Sequence, residues 1–177
     1  MKNILVISST PRQNGNSDIL CDHFIRGAQE NGHRIEKVQL AGKTINHCVA
    51  CYACKSGKCI HDDAAPEIIK KMLAADVIVL ATPVYFYTMC AQLKSLIDRC
   101  VMVYPDLTGK EFYFLITMAD TAQEMFRGTV EALNGFVACC ENSKCPGMVT
   151  ASGVYERGAV NGTRFTEEAY LLGKSVK

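Results

Sequence analysis

The chain has 177 residues, of which 49% are hydrophobic and 21% charged, a length and make-up that supply one compact domain with a full-sized core and exclude a disordered chain. Nineteen basic residues nearly cancel eighteen acidic ones, leaving a formal net charge of +1 without a long run of either sign. That balance offers no broad electrostatic footprint for nucleic acid or for an anionic membrane surface.

Asn3 to Ser8 is a β-branched and leucine-rich run without alternation, as in a strand buried on both faces of a parallel sheet. It is too short for the core of a signal peptide and far too short for a bilayer span, so a cytoplasmic protein is expected. The loop Ser9 to Ser17 is rich in turn formers and cap residues. Ile19, Leu20, Phe24, Ile25 and Ala28 then recur at helical spacing until Asn31-Gly32 stops the pattern. Arg34 to Leu40 alternates as a second strand. A cysteine-bearing loop at about 44–63 leads into a helix over Ala64 to Ala75, with Ile68, Ile69, Met72 and Leu73 on its apolar face. Asp76 to Ala81 is a third, continuously apolar strand, followed by Thr82-Pro83-Val84-Tyr85-Phe86-Tyr87 and a helix from about Met89 to Val103. Glu111 to Thr117 gives a fourth strand, Thr121 to Ala138 a helix, Met148 to Val154 a fifth strand, and Thr166 to Val176 the last helix. Strands and helices alternating in this way predict a doubly wound α/β fold, one domain over residues 1–177, with crossovers on both faces of a parallel sheet.

In such a sheet a ligand sits outside the carboxyl ends of the strands, at the switch in strand order. The loops after the first, third and fourth strands are therefore the candidate site. Ser9 to Ser17 offers hydroxyls, the Arg12 guanidinium, asparagine side chains and backbone N–H groups just before a helix, the parts that hold a phosphate. It lacks both the G-x-G-x-x-G turn and the Walker lysine, which disfavours a Rossmann dinucleotide site and a P-loop ATPase. The plainer reading of the same loop is that Asn16 and Ser17 cap a helix and Pro11 shapes a turn. Beyond the third strand, Tyr85, Phe86 and Tyr87 follow Pro83 and Val84 at the expected ligand edge, suited to the wall of a slot for a planar ligand.

These residues resemble the flavodoxin-like NAD(P)H-dependent FMN reductases and their iron–sulfur flavoprotein relatives. The resemblance covers essentially the whole chain and is strongest in Ser9 to Ser17, in Thr82 to Tyr87 and in Gln92 to Arg99. It implies a flavodoxin-like, five-stranded parallel sheet of order 2-1-3-4-5 with helices on both faces. It also implies that Ser9, Pro11, Arg12, Asn14, Gly15, Asn16 and Ser17 bind FMN, with Ser9, Arg12, Asn14, Asn16 and Ser17 around its phosphate. Pro83, Val84, Tyr85 and Phe86 would border the ribityl chain and ring. Thr117, Met118 and Asp120 match the family's last flavin-contacting segment in position, without its glycines.

Ten cysteines in a reducing compartment read as metal-binding or redox residues, since a core of this size needs no disulfide staples. Cys48, Cys51, Cys54 and Cys59 spell C-x2-C-x2-C-x4-C within one loop. Three readings compete for it: a [4Fe–4S] cluster, metal-free redox-labile thiols, and zinc, the last lacking its usual two separated knuckles. The spacing is similar to the ligand run of iron–sulfur flavoproteins. Cys21, Cys90, Cys100, Cys139, Cys140 and Cys145 are expected to be core or incidental thiols. Asp98 and Arg99 are expected in a structural ion pair or subunit contact rather than in catalysis, and His23, His33, His47 and His61 have no metal-ligand spacing.

The resemblance implies an FMN-dependent oxidoreductase that takes reducing equivalents from NAD(P)H and passes them to a quinone, a flavin or another small acceptor. No catalytic side chain is assigned, because the flavin carries the chemistry. The alternatives are an iron–sulfur flavoprotein that carries electrons between redox proteins and a zinc-stabilised binding module. A homodimer or higher homo-oligomer is expected, from the resemblance and from the apolar and aromatic surplus near the site.

Overall fold

The computed structural model describes residues 1–177. In chain order its elements are β1 (Asn3–Ser8), α1 (Asn16–Gln29), β2 (Arg34–Gln39), α2 (Ala65–Ala74), β3 (Val77–Tyr85), β4 (Thr88–Met89), α3 (Ala91–Arg99), β5 (Glu111–Thr117), α4 (Arg127–Cys139), β6 (Lys144–Ala151) and α5 (Arg164–Lys174). The sheet runs β2-β1-β3-β5-β6, all parallel, with β4 paired antiparallel to the end of β3. Taken in chain order, the five parallel strands have the expected order 2-1-3-4-5. No helix is long and apolar enough to cross a membrane.

The unbroken apolar strands are explained by burial on both faces. Ile4 and Val6 point to one core with Leu20, Phe24 and Phe165 of α1 and α5, while Leu5 and Ile7 point to the other with Ile68, Met72, Leu93 and Leu133 of α2, α3 and α4. Helices α1 and α5 approach so closely that side chains are excluded at their crossing. A Cβ on Gly27 would fall 2.0 Å from the Tyr170 carbonyl oxygen, and one on Gly173 would fall 2.0 Å from that of Phe24.

Three expected boundaries are corrected. The fifth parallel strand starts at Lys144, not Met148, and carries Pro146 and Gly147 within it. Glu111 pairs with Lys144 but Tyr113 with Gly147, so Pro146 falls in a bulge of an edge strand, where its missing N–H is tolerated. The third strand runs on through Pro83 to Tyr85 and turns back through Phe86 and Tyr87, whose φ angles of 48° and 67° match a two-residue hairpin of type I′. The helix expected to reach Val103 ends at Arg99, and short 3₁₀ turns follow up to Asp106, where Pro105 limits helix continuation.

Candidate functional site

The residues expected to hold a phosphate come together where β1 gives way to α1. The turn is closed by the Gly15 N–H donating to the Arg12 carbonyl at 3.0 Å, and a Cβ on Gly15 would stand only 2.9 Å from Thr10 Oγ1. No side chain caps α1. Its first ladder bond is donated by Ile19 to the Gly15 carbonyl, so the N–H groups of Asn16, Ser17 and Asp18 lie ahead of that ladder at the positive end of the helix dipole.

At the carboxyl ends of β1, β3 and β5 these groups border a cavity of about 150 Å³. Of the residues singled out in the sequence, Arg12, Asn16, Ser17, Pro83, Val84, Tyr85, Thr117 and Met118 line it. Ser17 Oγ lies 2.7 Å from Thr117 Oγ1, which ties the start of α1 to the end of β5. The remaining six do not line the cavity. Ser9 is buried, its hydroxyl donating to the Ala81 carbonyl at 2.7 Å, and so it serves the β1–β3 junction. Pro11 and Asn14 are exposed in the loop, and Gly15 closes the turn. Asp120 is exposed and accepts the Ala122 N–H at 2.9 Å. Phe86 stands at the hairpin tip, 98% exposed, so of the three consecutive rings only Tyr85 reaches the cavity.

Thr10, Ala119, Val154 and Tyr155 also line it, and sequence reasoning missed them. Val154 and Tyr155 belong to the loop after β6, which leaves the sheet at the same carboxyl edge. That position was the available signal. Asn16 holds this loop. Its amide Nδ2 donates to the carbonyls of Val154 at 3.2 Å and Glu156 at 2.9 Å, and its Oδ1 accepts the Val160 N–H at 3.2 Å. The Asn16 side chain is thus spent on the protein itself, leaving its backbone N–H for a ligand. Arg12 Nη1 donates to the Tyr155 carbonyl at 3.0 Å, and its guanidinium lies 5.8 Å from the centre of the Tyr155 ring.

The cysteine loop forms a second, larger cavity of about 760 Å³ with α2 and the end of α3. Cys48, Cys51, Cys54 and Cys59 all open onto it, together with apolar groups that include Ile69, Leu73 and Val103. The thiols do not converge: no group of three or more His, Cys, Asp or Glu side chains stands so as to hold a metal ion. The loop is fastened at its base by Asp63, which accepts the Asn46 N–H at 2.8 Å, the Ala65 N–H at 3.0 Å and Arg99 Nη1 at 2.7 Å. Arg99 therefore pairs with Asp63, both side chains almost wholly covered, while Asp98 pairs with Lys94 on the helix surface. Burial works against ionisation of Asp63, but the bond from Arg99 and the two backbone N–H groups outweigh it and hold the carboxyl down at about 2. Outside the loop, burial pushes the Cys21 thiol far up, Cys100 up to about 12 and Cys140 up to about 11.

The family model of the NADPH-dependent FMN reductases matches residues 2–139. An iron–sulfur flavoprotein of Methanocaldococcus jannaschii is 43% identical over 97 residues, 54% of this chain and 50% of that one. Another iron–sulfur flavoprotein, of Archaeoglobus fulgidus, is 34% identical over 114 residues, 62% of this chain and 51% of that one. The chain spans about half the length of these curated relatives. Among solved structures, an NAD(P)H:quinone oxidoreductase from Methanothermobacter marburgensis superposes with a TM-score of 0.75 at 14% identity, over 98% of this chain and 94% of that one, a likeness of fold.

Proposed function

The chain belongs to the NADPH-dependent FMN reductase family, and from that premise we propose that it is an FMN-dependent oxidoreductase moving reducing equivalents from NAD(P)H to a small acceptor such as a quinone or a flavin. The observation that carries this reading is the convergence, at the switch point of the sheet, of the free N–H groups of α1 with Thr10, Ser17, Thr117 and the backbone of Pro83 to Tyr85. These residues fit the phosphate-bearing end of FMN: backbone N–H groups and hydroxyls suit an anion, and Arg12 stands within the same cavity to add charge. About 150 Å³ is too little for the whole cofactor, since ligand pockets of that class run to roughly 300–1,000 Å³. The ring is assigned to the open side of the site, beside Tyr85 and the β3–β4 hairpin.

When bound, FMN supplies the hydride and electron transfer. The chain's own residues hold its phosphate, fix its orientation and leave one ring face accessible. No side chain is assigned a proton transfer. We further assign the protein to the cytoplasm and to a homo-oligomer. Purified protein is expected to quench the fluorescence of added FMN on binding, and Arg12→Ala with Ser17→Ala is expected to weaken that binding about tenfold or more, as for lost charge-assisted hydrogen bonds. Protein that neither carries nor binds flavin would refute the reading. Steady-state NAD(P)H oxidation with a quinone then separates an enzyme from a carrier.

A second reading, an iron–sulfur flavoprotein that passes electrons between protein partners, is favoured by the four thiols sharing one cavity. Thiolates are suitable donors for a [4Fe–4S] cluster. Their present arrangement is not a ligand set, so the loop would have to close to hold one. Iron and acid-labile sulfide measured after anaerobic reconstitution, with and without Cys51→Ser, test this reading.

A further inference from the structure

The chain carries four Asn-Gly pairs, at residues 14–15, 31–32, 134–135 and 161–162. In this dipeptide the glycine nitrogen stands next to the asparagine side chain with no Cβ to obstruct it, and it closes on the amide carbon wherever neither group is held. Three of the pairs are held. The Gly15 N–H donates to the Arg12 carbonyl at 3.0 Å, and Gly15 is buried. The Gly32 N–H donates to the Gln29 carbonyl at 2.9 Å, while Asn31 Nδ2 donates to the carbonyls of Lys174 at 2.7 Å and Val176 at 3.1 Å. Asn134 and Gly135 lie inside α4, where the helix ladder engages their N–H groups. The fourth pair differs. Asn161 and Gly162 are both exposed, in the loop between β6 and α5, and Gly162 has a φ of 72°. The Gly162 N–H makes no backbone hydrogen bond, although on either side Asn161 donates to the Gly158 carbonyl at 3.0 Å and Thr163 to that of Val160 at 3.2 Å. The Asn161 amide takes no part in the bonds that Asn16 and Thr163 make around it.

We propose that Asn161–Gly162 is a site of covalent modification, where the chain deamidates through a cyclic imide to aspartate and isoaspartate. The Gly162 nitrogen gives its proton to water and attacks Asn161 Cγ. A Cγ–N bond forms, the Cγ–Nδ2 bond breaks, and the side-chain nitrogen leaves as ammonia with a proton from water. Water then adds to one of the two ring carbonyls and the ring opens, so that the whole reaction consumes a water, releases an ammonia and transfers no electrons. Opening on one side leaves an aspartyl carboxylate. Opening on the other leaves isoaspartate, with the main chain running through the side-chain carbon and longer by a methylene. Its place in the loop makes this consequential. The turn from Val160 to Thr163 is closed by the Thr163 N–H and hydroxyl on the Val160 carbonyl, at 3.2 and 2.7 Å, and the Val160 N–H donates to Asn16 Oδ1 at 3.2 Å. A longer main chain inside that turn works against these bonds, and so frees the loop that Asn16 holds against the candidate site.

The test compares the four pairs within one molecule. The whole protein, folded and in urea, is incubated in mildly alkaline buffer made with heavy-oxygen water. Peptide mapping follows the label at each asparagine, and an isoaspartyl methyltransferase counts the isoaspartate. In urea the four pairs should take up label at similar rates. In the folded protein Asn161 is expected to keep that rate and to lead each of the other three by about tenfold or more, the factor for the hydrogen bonds they would have to break. Hydrogen exchange of the buried Val160 N–H should quicken about tenfold in aged wild-type protein, as for a loop that opens locally. Asn161→Gln, whose ring closure is slower, should lose the leading reaction and keep slow exchange at Val160 after equal ageing. Equal labelling of the four pairs in the folded protein, or label appearing first at Asn14, Asn31 or Asn134, would overturn the modification site. Isoaspartate at position 161 with Val160 exchange unchanged would overturn the release of the loop. Neither readout depends on flavin, so the flavin reading stands or falls separately.

Discussion

The side chain of Asn16 shapes the candidate site through a neighbouring loop rather than by facing the cavity itself. The residue is 8% exposed, and its amide makes three bonds to the 154–160 loop that walls the cavity. Asn16→Ala is expected to weaken FMN binding about tenfold by releasing Val154 and Tyr155, while lowering stability by about 2 kcal/mol through buried partners left unpaired. Titration with FMN and urea unfolding measure the two effects, and unaltered FMN affinity would remove the positioning role. The Asp63–Arg99 pair does comparable work for the cysteine loop. Arg99→Met leaves a covered carboxylate uncompensated and is expected to cost about 3 kcal/mol, with new proteolytic nicking between residues 46 and 63. Because the folded Asp63 carboxyl lies at about 2, below its ordinary 3.8, its contribution is fully present above pH 4 and is lost as pH falls from there through about 2. Acid unfolding curves of the wild type and Asp63→Asn should converge across that window. The structural ion pair expected for Arg99 is present, but neither its partner nor the loop-holding role of Asn16 was legible in the sequence. Asn16 read equally well as a phosphate contact or a cap, and the partner of Arg99 lies 36 residues away, hidden behind the adjacent Asp98.

Among the elements, those with strong periodicity were read closely, because β1 and β3 are buried on both faces and α1 and α2 on one. The hairpin was not. Two-residue hairpins with both central residues left-handed favour Asn-Gly or Asp-Gly, and here Phe86-Tyr87 fills that role with no turn signal at all. A bulky residue in the left-handed region costs roughly 1–2 kcal/mol, and Phe86 recovers nothing by burial at 98% exposure. Phe86→Gly is therefore expected to raise stability by about 1 kcal/mol in thermal or urea unfolding. If the exposed ring serves the flavin or a subunit contact, the same variant should bind FMN or self-associate less well. A variant that gains stability and loses neither would leave the strain without function. The edge strand β6 was misjudged at its start for a related reason: Pro146 and Gly147 are turn formers in isolation, and only the bulge opposite Phe112 accommodates them.

At the level of the whole molecule, the alternation of strands and helices carried the fold class and strand order, since short right-handed connections leave few ways to arrange five parallel strands. The apolar and aromatic surplus expected from the sequence is found in part on the surface. Val101, Met102 and Tyr104 after α3, and Tyr85, Phe86 and Tyr87 at the hairpin, remain at least 36% exposed. Apolar groups on that scale favour self-association. Light scattering is expected to report a dimer or larger species, and a monomer at every accessible concentration would count against it. The long reach of Asn16 has one more outcome, in time rather than in space. Its partners lie 138 to 144 residues further along the chain, and α1 is completed by the glycine-tight crossing with α5. During synthesis α1 must therefore wait until the chain has grown by those 138 to 144 residues before these partners emerge, so the candidate site is completed only after β1, β3 and β5 are already made.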